Sequence, residues 1–200
     1  MAGKNRTYTV NEQEYMMIFA ITGTQNSGKS RTLEALLHLL RKQTDSLGGI
    51  VSRRVLRNGQ PFGYELLCVA SRLCIPLAVP LTAASAFPVA DRVRYGAFCF
   101  SGTALETGRR VLADDMAKKY LFIDEIGRWE LEGGGWSEQL AALAERTDPA
   151  FLGIRRGIAP LLASRWHLDF ARLHDLDDTD CSSVLHDITA TLEKMPKTVN

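Results

Sequence analysis

Gly23, Gly28, Lys29 and Ser30 carry the first chemistry in this chain. They stand in the stretch GTQNSGKS, at the spacing G-x-x-x-x-G-K-S. A loop that wraps a multiply charged phosphate needs that spacing. Glycines let backbone N–H groups turn inward, and the N-terminus of a following helix adds its partial positive charge. A lysine then reaches the terminal phosphates, and a hydroxyl ligates Mg²⁺. On this reading Gly23, Thr24, Gln25, Asn26, Ser27, Gly28, Lys29, Ser30 and Arg31 bind a nucleotide. Lys29 is then catalytic and Ser30 a metal ligand. The bland alternative is a glycine turn that caps a helix. The flanks speak for the cradle: MMIFAIT before it is apolar on both faces, as a buried parallel strand requires.

A phosphate loop of this kind needs a second metal ligand from the end of a neighbouring strand, and LFIDEIG supplies it. Asp124 is the candidate for Mg²⁺. Glu125, its neighbour, points the other way and is the candidate base for an attacking water. Charge building on a transferred phosphoryl group also calls for a further cation. Arg53, Arg54, Arg94, Arg109, Arg110 and Arg128 are available. Arg155 and Arg156 are singled out because they follow the strand-like AFLGI, which sets them at the carboxyl edge of a sheet. Trp129 and Trp136 flank a glycine-rich acidic loop and are read as packing residues.

The elements that must position these groups alternate in type. A helix from about Lys29 to Thr44 carries Leu33, Leu36, Leu37 and Leu40 as one apolar stripe. Residues 50–71 read as a β-hairpin around Asn58-Gly59, with Pro61 implying a loop longer than two residues. Residues 72–92, rich in proline and alanine, read as irregular. RYGAFCF reads as one strand, and TALE (103–106) as a capping box opening a helix to about Lys118. KYLFIDEIG and AFLGI are buried strands, LDFARLH a last strand and CSSVLHDITATLEKM a last helix. Such alternation implies an α/β sandwich with a mostly parallel sheet and an inserted hairpin. Residues 1–15 are a polar lead-in, and 16–200 form one domain.

Bulk properties narrow the field. The chain has 200 residues, 46% hydrophobic and 24% charged, with a formal net charge of +1. That near-neutrality gives no electrostatic case for nucleic acid or an anionic membrane. No apolar run is long enough to span a bilayer. Cys68, Cys74, Cys99 and Cys181 lack Cys-x-x-Cys spacing, so reduced thiols in a cytoplasmic protein are expected, with no structural metal site.

Taken together these segments resemble the small P-loop nucleoside-triphosphatase family first described in thermophiles. The loop lies near the N-terminus. GGIVSRRVLRNGQPFGYELL follows the first helix, RYGAFCF leads into the second, and IDEIGRWEL is close to the family's Asp-Glu-Ile-Gly segment. The likeness covers about residues 17–155. It implies a three-layer P-loop NTPase fold of RecA-like type and Mg²⁺-dependent hydrolysis of ATP or GTP with loose base selectivity. Asp124 would be the Walker B acid and Glu125 the base. The hairpin arm SRRVLRN lacks the family's acids, and RRGIAPLL stands where the family often has a histidine. A small-molecule or nucleotide kinase, or a nucleotide-dependent adaptor in cofactor or metal assembly, would use the same parts. The sequence names no protein partner.

Overall fold

The computed structural model describes residues 17–194, so the polar lead-in expected over 1–15 lies outside the described residues. The chain opens with β1 (Ile18–Gly23), the P-loop, α1 (Lys29–Leu40), β2 (Leu47–Arg57) and β3 (Gln60–Cys68). It continues through β4 (Cys74–Pro80), two short 3-10 turns, β5 (Arg92–Tyr95), β6 (Phe98–Ser101) and α2 (Gly102–Asp114). Next come β7 (Tyr120–Ile126), the one-turn α3 (Arg128–Leu131), α4 (Ser137–Ala142) and β8 (Ala150–Arg155). The last elements are α5 (Ala159–Trp166), β9 (Phe170–Asp175) and α6 (Cys181–Glu193).

One sheet runs through the molecule in the order β5-β6-β4-β3-β2-β7-β8-β1-β9. From β2 to β9 every pairing is parallel; from β2 to β5 every pairing is antiparallel. The expected mostly parallel sheet is therefore the core, and the expected hairpin is the start of a four-strand antiparallel extension. Helices cover both faces. On one, Leu33, Leu36, Leu37 and Leu40 of α1 pack with Val184 and Ile188 of α6 over Phe19, Phe122 and Phe151. Those three rings come from adjacent strands and touch, with centroids 5.4 Å (Phe19–Phe151) and 5.0 Å (Phe122–Phe151) apart. On the other face α2, α4 and α5 bring Leu105, Leu112, Leu140 and Leu162 onto Ile50, Leu121 and Leu152.

Several sequence expectations are corrected. Cys74–Pro80 is a strand in the middle of the antiparallel half, not irregular chain. Its prolines hid it, and Pro76 sits opposite Glu65 where the register shifts, so its missing N–H interrupts no regular ladder. RYGAFCF is two strands, β5 and β6, turning at Gly96-Ala97 with Tyr95 opposite Phe98. The β2–β3 turn is only Asn58-Gly59, both at positive φ, with Arg57 opposite Gln60. The lost N–H of Pro61 is absorbed by a bulge between Val55 and Leu56. α1 stops at Leu40, where the amides of Gln43 and Thr44 both turn back onto the Leu40 carbonyl. α2 is capped by Ser101, whose Oγ accepts from the Ala104 amide at 3.1 Å, while Thr103 is turned onto Asp91. It ends at Asp114, short of Lys118.

Gly49 fixes where β7 lies. It has φ +94°, and a Cβ there would fall 2.0 Å from the Phe122 carbonyl oxygen. Its amide donates to the buried Asp115 Oδ2 at 2.9 Å. Gly49→Ala is expected to cost at least ~2 kcal/mol, from left-handed strain plus a backbone collision. A urea unfolding midpoint close to that of the wild type would show that this approach does not set the β2–β7 spacing.

Candidate functional site

The phosphate loop forms because β1 ends at a sheet edge that points at the start of α1. Thr24 to Gly28 make the turn, with Gly23, Asn26 and Gly28 at positive φ. The Gly28 carbonyl accepts from the amide and the hydroxyl of Thr32, at 2.9 and 3.1 Å, which locks the first turn of α1. Gln25, Asn26 and Arg31 are exposed, and Ser27, Lys29 and Ser30 are half-buried. Lys29 Nζ donates to the carbonyls of Gly23 at 3.0 Å and Thr24 at 2.8 Å, so its ammonium lies within the loop. Burial lowers the Lys29 pKa. Glu125, Asp124 and Asp177 oppose that, and Arg155 adds to it. The expected residues Gly23–Arg31 are thus brought together, with Glu125 and Asp124 in the electrostatic neighbourhood of Lys29.

Asp124 is buried near the end of β7. Its carboxylate accepts from the Ser52 amide at 3.1 Å and from the Glu125 amide at 2.8 Å. Burial, and then the adjacent Glu125 charge, push its pKa up to about 7, against the Ser30 hydroxyl and the two amides, which favour the ionised form. Gly153 on β8 makes the room: a Cβ there would stand 2.1 Å from Asp124 Oδ1. Glu125 is exposed at φ +60°, in the left-handed region, where the β7–β8 register breaks between Ile123 and Ile126. A non-glycine residue held there is strained, as at many functional positions. The two acids therefore part company as the sequence implied, Asp124 inward and Glu125 outward.

Ser30 and Asp124 are hard oxygen donors of the kind Mg²⁺ takes, alongside phosphate and water oxygens. Among the described residues the buried Ser52 hydroxyl beside them, and that of Ser27 in the loop, have no hydrogen-bond partner. Among the described residues no three His, Cys, Asp or Glu side chains cluster as a metal cage. The donor set fits a metal held jointly with a substrate.

Of the two arginines singled out by sequence, Arg155 ends β8 opposite Gly23 and is exposed. Arg156 is committed to Asp175 at 3.4 Å and Asp177 at 3.1 Å. Asp177 itself was not anticipated. Its carboxylate accepts from the Thr24 amide at 2.9 Å and the Thr24 hydroxyl at 2.8 Å, tying the loop's first residue to the β9–α6 turn. These bonds, Thr24 foremost, hold its pKa low. Glu130 was also missed as a site residue. It is buried, accepts from the amides of Gly127 at 2.7 Å and Trp136 at 3.3 Å, and is pushed by burial to about 7. It anchors the turn after Glu125. The one signal for it was its place in the IDEIGRWEL segment. Trp136 is core, and Trp129 stacks on Tyr95 at 4.8 Å, so both tryptophans pack.

Cys68, Cys74, Cys99 and Cys181 are free thiols. Among the described residues no helix is long and apolar enough to cross a membrane.

Comparison with known proteins agrees with this frame. A family model described as NTPase matches residues 18–188. No curated protein matches the chain. The fold resembles the solution structure of a human cancer-related nucleoside triphosphatase, at 18% identity, covering 90% of this chain and 100% of that one, with a TM-score of 0.68. It also resembles the crystal structure of THEP1 from the hyperthermophile Aquifex aeolicus, at 19% identity, 89% and 100% coverage and a TM-score of 0.59. The architecture is that of a three-layer P-loop NTPase.

Asp124 and Glu130 both bind protons more tightly when folded than their ordinary 3.8 and 4.5 allow. A carboxyl with a raised folded pKa gives stability that is complete below the unfolded value and lost as pH rises through the folded one. Without divalent cations, melting temperature is expected to decline between about pH 4 and about pH 7. Asp124→Asn should flatten that decline. An unchanged slope in calorimetry across pH would mean that Asp124 is not held in this environment.

Proposed function

This chain belongs to the NTPase family, and on that footing we propose that it is a Mg²⁺-dependent nucleoside-triphosphate phosphohydrolase acting on ATP and GTP with loose base selectivity. The observation that carries the reading is the split pair at the end of β7. Asp124 is buried beside the Ser30 hydroxyl, and Glu125 is exposed and is the largest charge acting on Lys29. A carboxylate held outward at that point suits a water nucleophile.

In this mechanism the loop amides and Lys29 bind the β- and γ-phosphates. Ser30 and Asp124 would hold Mg²⁺, which when bound offsets charge on the phosphate oxygens. Glu125 orients a water in line with the γ-phosphorus and takes its proton. The water oxygen bonds to phosphorus as the bond to the β–γ bridging oxygen breaks, and that electron pair leaves with the nucleoside diphosphate. Glu130 supports Glu125 by fixing the backbone of the turn at Gly127. The free thiols suit a cytoplasmic setting.

A cleft of about 190 Å³ between the loop and the β2–β3 arm, lined by Gln25, Asn26, Phe62, Tyr64 and Phe98, favours one second reading. In that reading the γ-phosphoryl group passes to a planar acceptor bound there.

Phosphate release from ATP, GTP, CTP and UTP separates the two. Wild type with Mg²⁺ is expected to release phosphate from several of them and to stop on chelation. Glu125→Gln should lose roughly 10²–10⁴-fold in kcat, and Lys29→Ala should fall to background. Hydrolysis is ruled out if wild type stays at the Lys29→Ala level with all four nucleotides. Label from the γ-position appearing on an added acceptor instead of in free phosphate selects transfer.

A further inference from the structure

Arg53 and Arg54 are consecutive in β2, so their side chains leave opposite faces of the strand. Each grips a different part of the phosphate-binding unit. Arg53 Nε pairs with Glu34 Oε1 of α1 at 2.5 Å. Arg54 Nη2 donates to Oδ1 of Asn26, the loop-crest residue at φ +70°.

The path of β2 explains this reach. It pairs with β7 only through Ile50, opposite Ile123. Arg54 lies four residues further on, roughly 13 Å at a strand's rise per residue. That carries it past the carboxyl edge of the parallel core and over the loop. On the way, the Ser52 amide binds Asp124. β2 flanks β7 on the side away from β8 and β1. Its arm therefore approaches from the side of Asp124 and Glu125, where the terminal phosphoryl group would meet them.

We propose that Arg54 is the catalytic cation of this site: its guanidinium contacts the γ-phosphoryl group and stabilises the charge that builds there as the water–phosphorus bond forms and the bond to the bridging oxygen breaks. The proposal rests on the hydrolytic reading above. A guanidinium has five N–H donors in a planar fork, so the bond to Asn26 leaves donors for phosphoryl oxygens. Asn26 holds the group in position beforehand, which lowers the ordering cost of recruiting it. The arginines favoured by sequence are less suited. Arg156 already faces two carboxylates. Among the described residues no hydrogen bond or ion pair fixes the Arg155 side chain, whereas Asn26 fixes that of Arg54.

The test measures hydrolysis, Mg²⁺·diphosphate affinity and trapping of diphosphate with aluminium fluoride, in wild type, Arg54→Ala, Arg54→Lys, Arg155→Ala and Arg156→Ala. Arg54→Ala is expected to lose about 10³–10⁵-fold in kcat, the size of a transferred arginine's effect. It should bind diphosphate as wild type does, which also shows that it has folded. It should gain nothing from aluminium fluoride, and added guanidinium should restore part of its rate. Arg54→Lys should recover only a fraction, since a point charge lacks the fork. Wild-type rate or trapping in Arg54→Ala overturns the assignment, as does the same loss in Arg155→Ala or Arg156→Ala instead. Equal loss of diphosphate binding in both Arg54 variants makes the residue a strut and also overturns it. A wild type that hydrolyses no nucleotide fails differently: it removes the hydrolytic reading itself, and this assignment with it.

Discussion

Everything at this site turns on keeping a carboxylate out of water. Asp124 is buried, and desolvating a charge is costly unless hydrogen bonds and a counter-charge offset it. The protein supplies part of the offset. β2 gives the Ser52 amide, β7 gives the next amide along, and α1 brings the Ser30 hydroxyl. β8 contributes an absence, the missing side chain of Gly153, without which Oδ1 has nowhere to stand. Four elements thus meet around one group, and their remaining deficit appears as a pKa lifted to about 7. In the proposed mechanism a divalent cation would supply the missing counter-charge, so the strain at Asp124 and the proposed metal site would have the same origin.

The parts of the fold that were legible in the sequence are those whose signals are local. The loop spacing, the Leu33–Leu40 stripe and the apolar run before Asp124 each state their conformation within a dozen residues, and α1, β1 and β7 follow. The inward and outward split of Asp124 and Glu125 was legible as an outcome, but its cause, the left-handed backbone at Glu125 where the β7–β8 register breaks, was not. What was not legible depends on distant partners. Cys74–Pro80 is a strand only because β3 and β6 stand on either side of it, and its prolines argue locally against that. The cap of α2 is Ser101 and not Thr103 because the Thr103 amide and hydroxyl are both turned onto Asp91, twelve residues away, while Ser101 Oγ is left to accept from the Ala104 amide. Asp177, Gly153 and Arg54 earn their places through contacts that no spacing within their own segments encodes.

The two halves of the sheet divide the labour accordingly. The parallel half carries the loop and the acids at its carboxyl edge, where open α/β sheets bind ligands. The antiparallel half begins where β2 outruns β7, and so it projects over that edge. Its basic arm, SRRVLRN, lacks the carboxylates that would neutralise it internally. Two of its three arginines, Arg53 and Arg54, are turned instead onto Glu34 and Asn26. What looked in the sequence like a loss of acids becomes, in three dimensions, a pair of cations that engage the neighbouring loop and helix.

The bond between Thr24 and Asp177 joins residues 153 apart. β1 lies between β8 and β9, strands synthesised long after it. Contacts of such separation form late, because the loop-closure entropy must be met before they return anything. On a ribosome the loop emerges long before β8, β9 and Asp177, the segments that flank and tie it. Until β8 and β9 have emerged, a nascent chain therefore carries the GTQNSGKS stretch without the strands that flank β1. The docking of β9 and its turn is therefore part of completing the loop, and a truncation short of Asp177 would leave the motif intact on paper but without the tie at Thr24.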